Sequence, residues 1–103
     1  MSMINILNEI EKLYSEDVEQ NILGCMLVFK ECNRYIKNIE VEDFYIEINK
    51  TVFRLIKELK QEEKNIEILS VKEFAKSKKL NEQEIFNYLI KITSNIITTS
   101  TIE

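Results

Sequence analysis

Few residues in this sequence have side chains that could do chemistry. Its two thiols, Cys25 and Cys32, stand seven apart, which on one continuous helix would stack them on a single face. Two thiols alone cannot make a thiolate zinc site, and free cysteines pack as small buried apolar groups. With a helix break expected near residue 30, both read as structural. Histidine is absent, which removes imidazole bases, imidazole metal ligands and the usual nucleophile–base triads. The single glycine, Gly24, cannot build a phosphate-cradling loop, and the pattern GxxxxGK[ST] does not occur. The chain alone is expected to catalyse nothing and to hold no cofactor or metal.

The remaining polar chemistry is charge. The 14 basic residues against 18 acids leave a net charge of −4, whereas nucleic-acid binders usually present a basic face. Lys76, Lys78 and Lys79 form a basic cluster, and residues 70–92 have the outline of a helix-turn-helix. The residues that would enter the major groove are then Glu82, Gln83 and Glu84. Two of them carry carboxylates that phosphates repel, so little or no direct DNA binding is expected.

The elements that must position these residues read as helices. There is no proline and one glycine, too few breakers for many short strands. Of the acids only Asp17 and Asp43 are aspartate, and the rest are the better helix former glutamate. Hydrophobic residues make up 45% and charged residues 31%, an ordinary globular balance for one all-α domain. No apolar run approaches the roughly 18–20 residues of a membrane span. The start also lacks the basic region and cleavage site of a signal peptide, so the expected compartment is cytoplasmic.

Hydrophobic spacing predicts a first helix over 4–14, with Ile6, Ile10 and Leu13 on one face. A second, over 16–30, would be capped by Ser15 and bury a main stripe of Val18, Ile22, Cys25, Met26 and Phe29. Gly24 in its middle costs about 1 kcal/mol against alanine and marks the close approach of another helix. A short helical segment over 31–37 and a loop over 39–45 follow, with Asp43 as the expected cap of a helix over 45–63. Ser70-Val71-Lys72-Glu73 fits a capping box that opens a short helix. Asn81, with Glu84 three residues on, starts the last helix. The core is expected to include Leu23, Met26, Leu27, Phe29, Val52, Ile56, Phe74 and Leu89. Thr93 to Glu103, rich in β-branched and hydroxyl residues, reads as a fraying helix end or the start of a connection.

In that frame a longer pattern stands out. Asp17, Glu19, Gln20, Leu23, Gly24 and Leu27 resemble the opening motif of DnaB-type replicative DNA helicases. Asp43-Phe44-Tyr45 with Phe53 and Ile56, the run Ile66 to Val71, then Tyr88-Leu89 and Asn95-Ile96 follow in the family's order. The resemblance covers roughly 16–97. Val18 stands where the family has alanine, and Glu84-Ile85 where it often has a glycine pair. A helix precedes the first motif where a proline is common. These departures describe a divergent member.

The resemblance implies a compact bundle of about five to six short helices. It divides the chain into an N-terminal arm (1–15), the helical domain (16–97) and a tail (98–103) leading to an absent hairpin. It implies an N-terminal scaffolding domain that supports a hexameric ring and binds primase and sometimes a loader during DNA replication. ATP and magnesium would belong to a separate motor domain. A chain without that hairpin is expected to be a monomer or weak dimer, with Ile6, Ile10 and Leu13 as its possible interface. Two other readings stay open: a free-standing acidic adaptor or regulator of a helicase, and a helix-turn-helix DNA-binding domain.

Overall fold

The computed structural model describes the backbone of residues 3–101 and the side chains of Met3 and of residues 16–96. Four α-helices and two 3-10 helices make up the described chain: α1 (Met3–Val28), η1 (Lys30–Asn38), η2 (Val41–Asp43), α2 (Glu47–Gln61), α3 (Ile68–Ser77) and α4 (Glu82–Thr101). No strand occurs among the described residues, and the fold is all-α.

The two helices expected over 4–14 and 16–30 are one. With no proline or glycine near residue 15, nothing breaks the ladder, and Ser15 lies inside α1 rather than capping a second helix. The break falls after Val28, where Phe29 is extended at φ −111° and ψ 114°. α1 buries only part of the expected stripe. Leu23 and Met26 enter the core, whereas Val18 is 52% exposed and Phe29 38% exposed. Periodicity marks two adjacent apolar stripes on this helix, and only the neighbouring elements decide which one is covered.

Helix starts show similar substitutions of one capping group for another. Asp43 does not cap α2; its Oδ2 accepts the Glu40 amide at 2.9 Å across η2, and α2 begins only at Glu47. Ser70 does not open α3 either. That helix starts at Ile68 after an extended Glu67, because Ile68 already continues the inward apolar pattern. Asn81 caps α4 as expected, its Oδ1 accepting the Glu84 amide at 3.1 Å.

Helix ends show what a chain poor in glycine does instead. Glu63 and Lys79 sit in the left-handed region, at φ 57° and 61°. The amides that follow them close long backbone bonds, Lys64 to the Leu59 carbonyl and Leu80 to the Ala75 carbonyl, each at 3.0 Å. This is the Schellman arrangement, normally glycine's place.

The core is continuous. Leu23, Met26, Ile36, Phe44, Val52, Phe53, Ile56, Val71, Leu89 and Ile92 are all buried in one cluster, with Leu27 and Phe74 packed half-buried against it. The rings of Phe44 and Phe53 stack at 4.9 Å and 38°. Thr93, poor helix former though it is, is buried in α4; its hydroxyl donates to the Leu89 carbonyl at 2.7 Å. That back-bond satisfies the hydroxyl inside the bundle, and α4 runs on to Thr101 instead of fraying at Thr93.

Candidate functional site: a buried polar clasp and the faces around it

The most concentrated polar geometry is built on Glu19. Its position on α1 turns the carboxylate inward, and the side chain is only 6% exposed. Oε2 accepts the Tyr45 amide at 2.7 Å. Oε1 accepts the Ile46 amide at 3.2 Å and the Asn49 side-chain amide at 2.9 Å. Three donors on one carboxylate are charge-assisted bonds, and they converge at the start of α2, where the helix dipole favours negative charge. Glu19 thus anchors from α1 the chain that enters α2, at Tyr45 and Ile46, whereas Asp43 was expected to cap the helix locally.

The network then crosses to α4. Asn49, fully buried, uses its Oδ1 to accept the Tyr88 hydroxyl. The Gln20 side chain lies beside the same hydroxyl. Burial pushes the Tyr88 phenol above its ordinary value, and the nearby Glu16 and Glu19 carboxylates add to the rise; the Gln20 and Asn49 side chains oppose it. Three helices are pinned at one point, and every polar atom in the chain Glu19–Asn49–Tyr88 has a partner inside the molecule. An arrangement so fully satisfied ties the three helices together.

The residues singled out from sequence fall around this clasp in distinct roles. Glu19, Gln20 and Tyr88 form it, Tyr45 lends its amide while its ring stays exposed, and Leu23, Phe44, Phe53 and Leu89 pack the core beneath. Gly24 is where α4 crosses: an added β-carbon would lie 2.7 Å from Ile96 Cγ1 and 3.2 Å from the Ile92 carbonyl. Leu27 packs at the core edge, and Asp17 is exposed. Ile6, Ile10 and Leu13 lie outside the residues whose side chains are described. Asn49 was missed in the sequence reading. A polar residue flanked by the apolar Ile48 and Val52 on a buried face was its only signal.

The thiols share a groove despite the helix break between them. The helix does break before residue 30, yet η1 folds back along α1, so Cys25 and Cys32 line one apolar groove with Ile22, Met26, Tyr35 and Ile39. Both are free, and burial first, then the neighbouring Cys32, raises the Cys25 thiol. A raised thiol is a poor nucleophile at neutral pH. Among the described residues, no group of three or more Cys, Asp or Glu side chains could hold a metal ion. None of the described helices is long and apolar enough to cross a membrane.

The basic cluster is partly spent inside the molecule. Lys78 pairs with Glu58 at 2.8 Å and lies over the Phe74 ring. Lys72 sits 4.4 Å from the Phe86 ring centre. The turn between α3 and α4 leads into the carboxylates of Glu82 and Glu84, as the sequence indicated.

The fold defines the class first: an all-α domain whose polar centre is a closed hydrogen-bond network between helices. The family model described as DnaB-like helicase N terminal domain matches residues 11–103, and the chain belongs to that family. No curated protein and no solved structure matches it.

Proposed function

We propose that the chain works as the N-terminal scaffolding and protein-interaction domain of a replicative DNA helicase, supporting ring assembly and contacts with primase or a loader. The observation that carries this reading is the family match over residues 11–103. The geometry agrees with it: the polar network is closed inside the fold, and the exposed features are apolar and charged helix faces. Such faces bind proteins.

The motor chemistry is assigned to another domain. The one glycine is committed to the α1–α4 crossing, so ATP and magnesium have no phosphate loop here, and these residues do not fit that group. A direct role in reading DNA has little support, since Lys78 is paired internally and the helix that would enter the groove begins with Glu82 and Glu84. The test is the reading frame. Continuation past Glu103 into a domain carrying GxxxxGK[ST] is expected; a stop codon soon after would replace this reading with that of a free-standing adaptor.

A further inference from the structure

Two thiols reach one open groove of about 340 Å³ from different elements. Ile22, Cys25 and Met26 line it from α1, and Cys32, Tyr35 and Ile39 from η1 and its end. Only Phe29 separates α1 from η1. Of the groove's residues, Cys32 is the nearest to that junction on η1, and Cys25 and Met26 are the nearest on α1. Two backbone bonds hold the chain between the cysteines. The Phe29 amide donates to the Cys25 carbonyl at 2.8 Å, and the Cys32 amide donates to the Phe29 carbonyl at 3.0 Å.

Structural cysteines are closed off from solvent and inert. These two are free and each is partly exposed, and they open on the same groove. They are also near enough for a charge on Cys32 to act on the Cys25 thiol. Reagents that reach one sulfur reach the other, and the backbone holds the pair ready before any reagent arrives.

We propose that Cys25 and Cys32 are a redox-active dithiol, a modification site at which a low-molecular-weight disulfide closes a reversible bridge between α1 and η1. Burial holds Cys25 as the protonated thiol, so the first attack falls to Cys32. Its thiolate attacks one sulfur of R–S–S–R, forms a mixed disulfide and releases R–S⁻. Cys25 then gives its proton to solvent, and its sulfur attacks Cys32 Sγ and expels the second R–S⁻. Two protein thiols are oxidised to one disulfide, and R–S–S–R is reduced to two molecules of thiol. The bridge fixes η1 against α1 at a joint otherwise made by the single extended residue Phe29. The site stands apart from the assembly reading and does not depend on it.

Oxidised glutathione incubated with the full chain tests it, read by intact-mass spectrometry and peptide mapping, with far-UV circular dichroism to confirm that each variant folds. The expected product is lighter by two hydrogens, joins Cys25 to Cys32 within one chain and is reversed by dithiothreitol. In glutathione redox buffers, the ratio of bridged to open chain is about tenfold or more higher for the folded chain than in guanidinium. Cys25→Ser stops at a glutathione adduct on Cys32, and Cys32→Ser gains its adduct several-fold more slowly. A folded chain that carries glutathione adducts and never bridges overturns the proposal. So does a bridge no more favoured in the folded chain than in guanidinium, or a Cys32→Ser variant that reacts as fast as Cys25→Ser.

Discussion

Gly24 and Ile96 stand in direct contact across the α1–α4 crossing: a β-carbon on Gly24 would come within 2.7 Å of Ile96 Cγ1. The Ile92 carbonyl, at 3.2 Å, closes the same space with backbone that cannot swing aside. The crossing therefore demands a residue without a side chain, although glycine in mid-helix costs about 1 kcal/mol. Gly24→Ala is expected to lower stability by about 1 kcal/mol net, the clash outweighing the gain in propensity, and Gly24→Leu by about 3 kcal/mol. Denaturant midpoints check both. An alanine variant more stable than the parent would mean that the two helices sit further apart.

The clasp predicts losses at both of its ends. Glu19→Ala leaves the Tyr45 and Ile46 amides and Asn49 without their acceptor and is expected to cost about 2–3 kcal/mol. Tyr88→Phe leaves the Asn49 Oδ1 unpartnered and should cost about 1–3 kcal/mol. Chemical denaturation of the two variants measures this, and a neutral Tyr88→Phe would show that the hydroxyl bonds water equally well.

The raised Tyr88 phenol adds a pH signature. Above its ordinary value of about 10 the unfolded chain releases the phenolic proton before the native chain does. The native state then binds more protons, so stability falls as pH rises through that window. Tyr88→Phe should lose less stability than the parent between about pH 9.5 and 11. Equal slopes in thermal melts across that range would contradict the burial of the hydroxyl.

Helix caps separate sharply in expected cost. Asn81→Ala removes the acceptor of the Glu84 amide and should cost about 0.5–2 kcal/mol. Ser70→Ala falls within α3 and should change stability by less than about 0.5 kcal/mol. Guanidinium titrations of the two variants side by side decide whether α3 begins at Ile68 or at the serine.

Lys79 holds a left-handed conformation at φ 61° that costs an ordinary residue roughly 1–2 kcal/mol. Lys79→Gly relieves it and, after the added freedom of the unfolded chain, should stabilise by about 0.5–1 kcal/mol. A lowered melting temperature would show that the lysine side chain contributes more than its backbone strain removes.

The all-helical class was legible from the missing proline and near-missing glycine, and the crossing at Gly24 from one glycine in a buried helix. Asn81 was legible because its capping partner lies three residues away. The misassigned features depend on distant chain. Which stripe of α1 is buried depends on where α4 and η1 pack, and the chain entering α2 is anchored by Glu19, some 26 residues from Tyr45. Asn49 carries no local mark of its role, since its partners stand on α1 and α4, 30 and 39 residues away. The groove shared by Cys25 and Cys32 required η1 to fold back, which the spacing of the two residues does not encode.

The central claim is that this domain acts by binding replication proteins rather than DNA or nucleotide. Fluorescence anisotropy of the labelled chain, titrated at about 150 mM salt with primase and helicase from its own cell and with duplex DNA in parallel, tests it most directly. The account predicts saturable binding to at least one of the two proteins, with a dissociation constant on the order of micromolar, and no saturation by the duplex. A folded chain that ignores both proteins, or that binds the duplex more tightly than either, would contradict it.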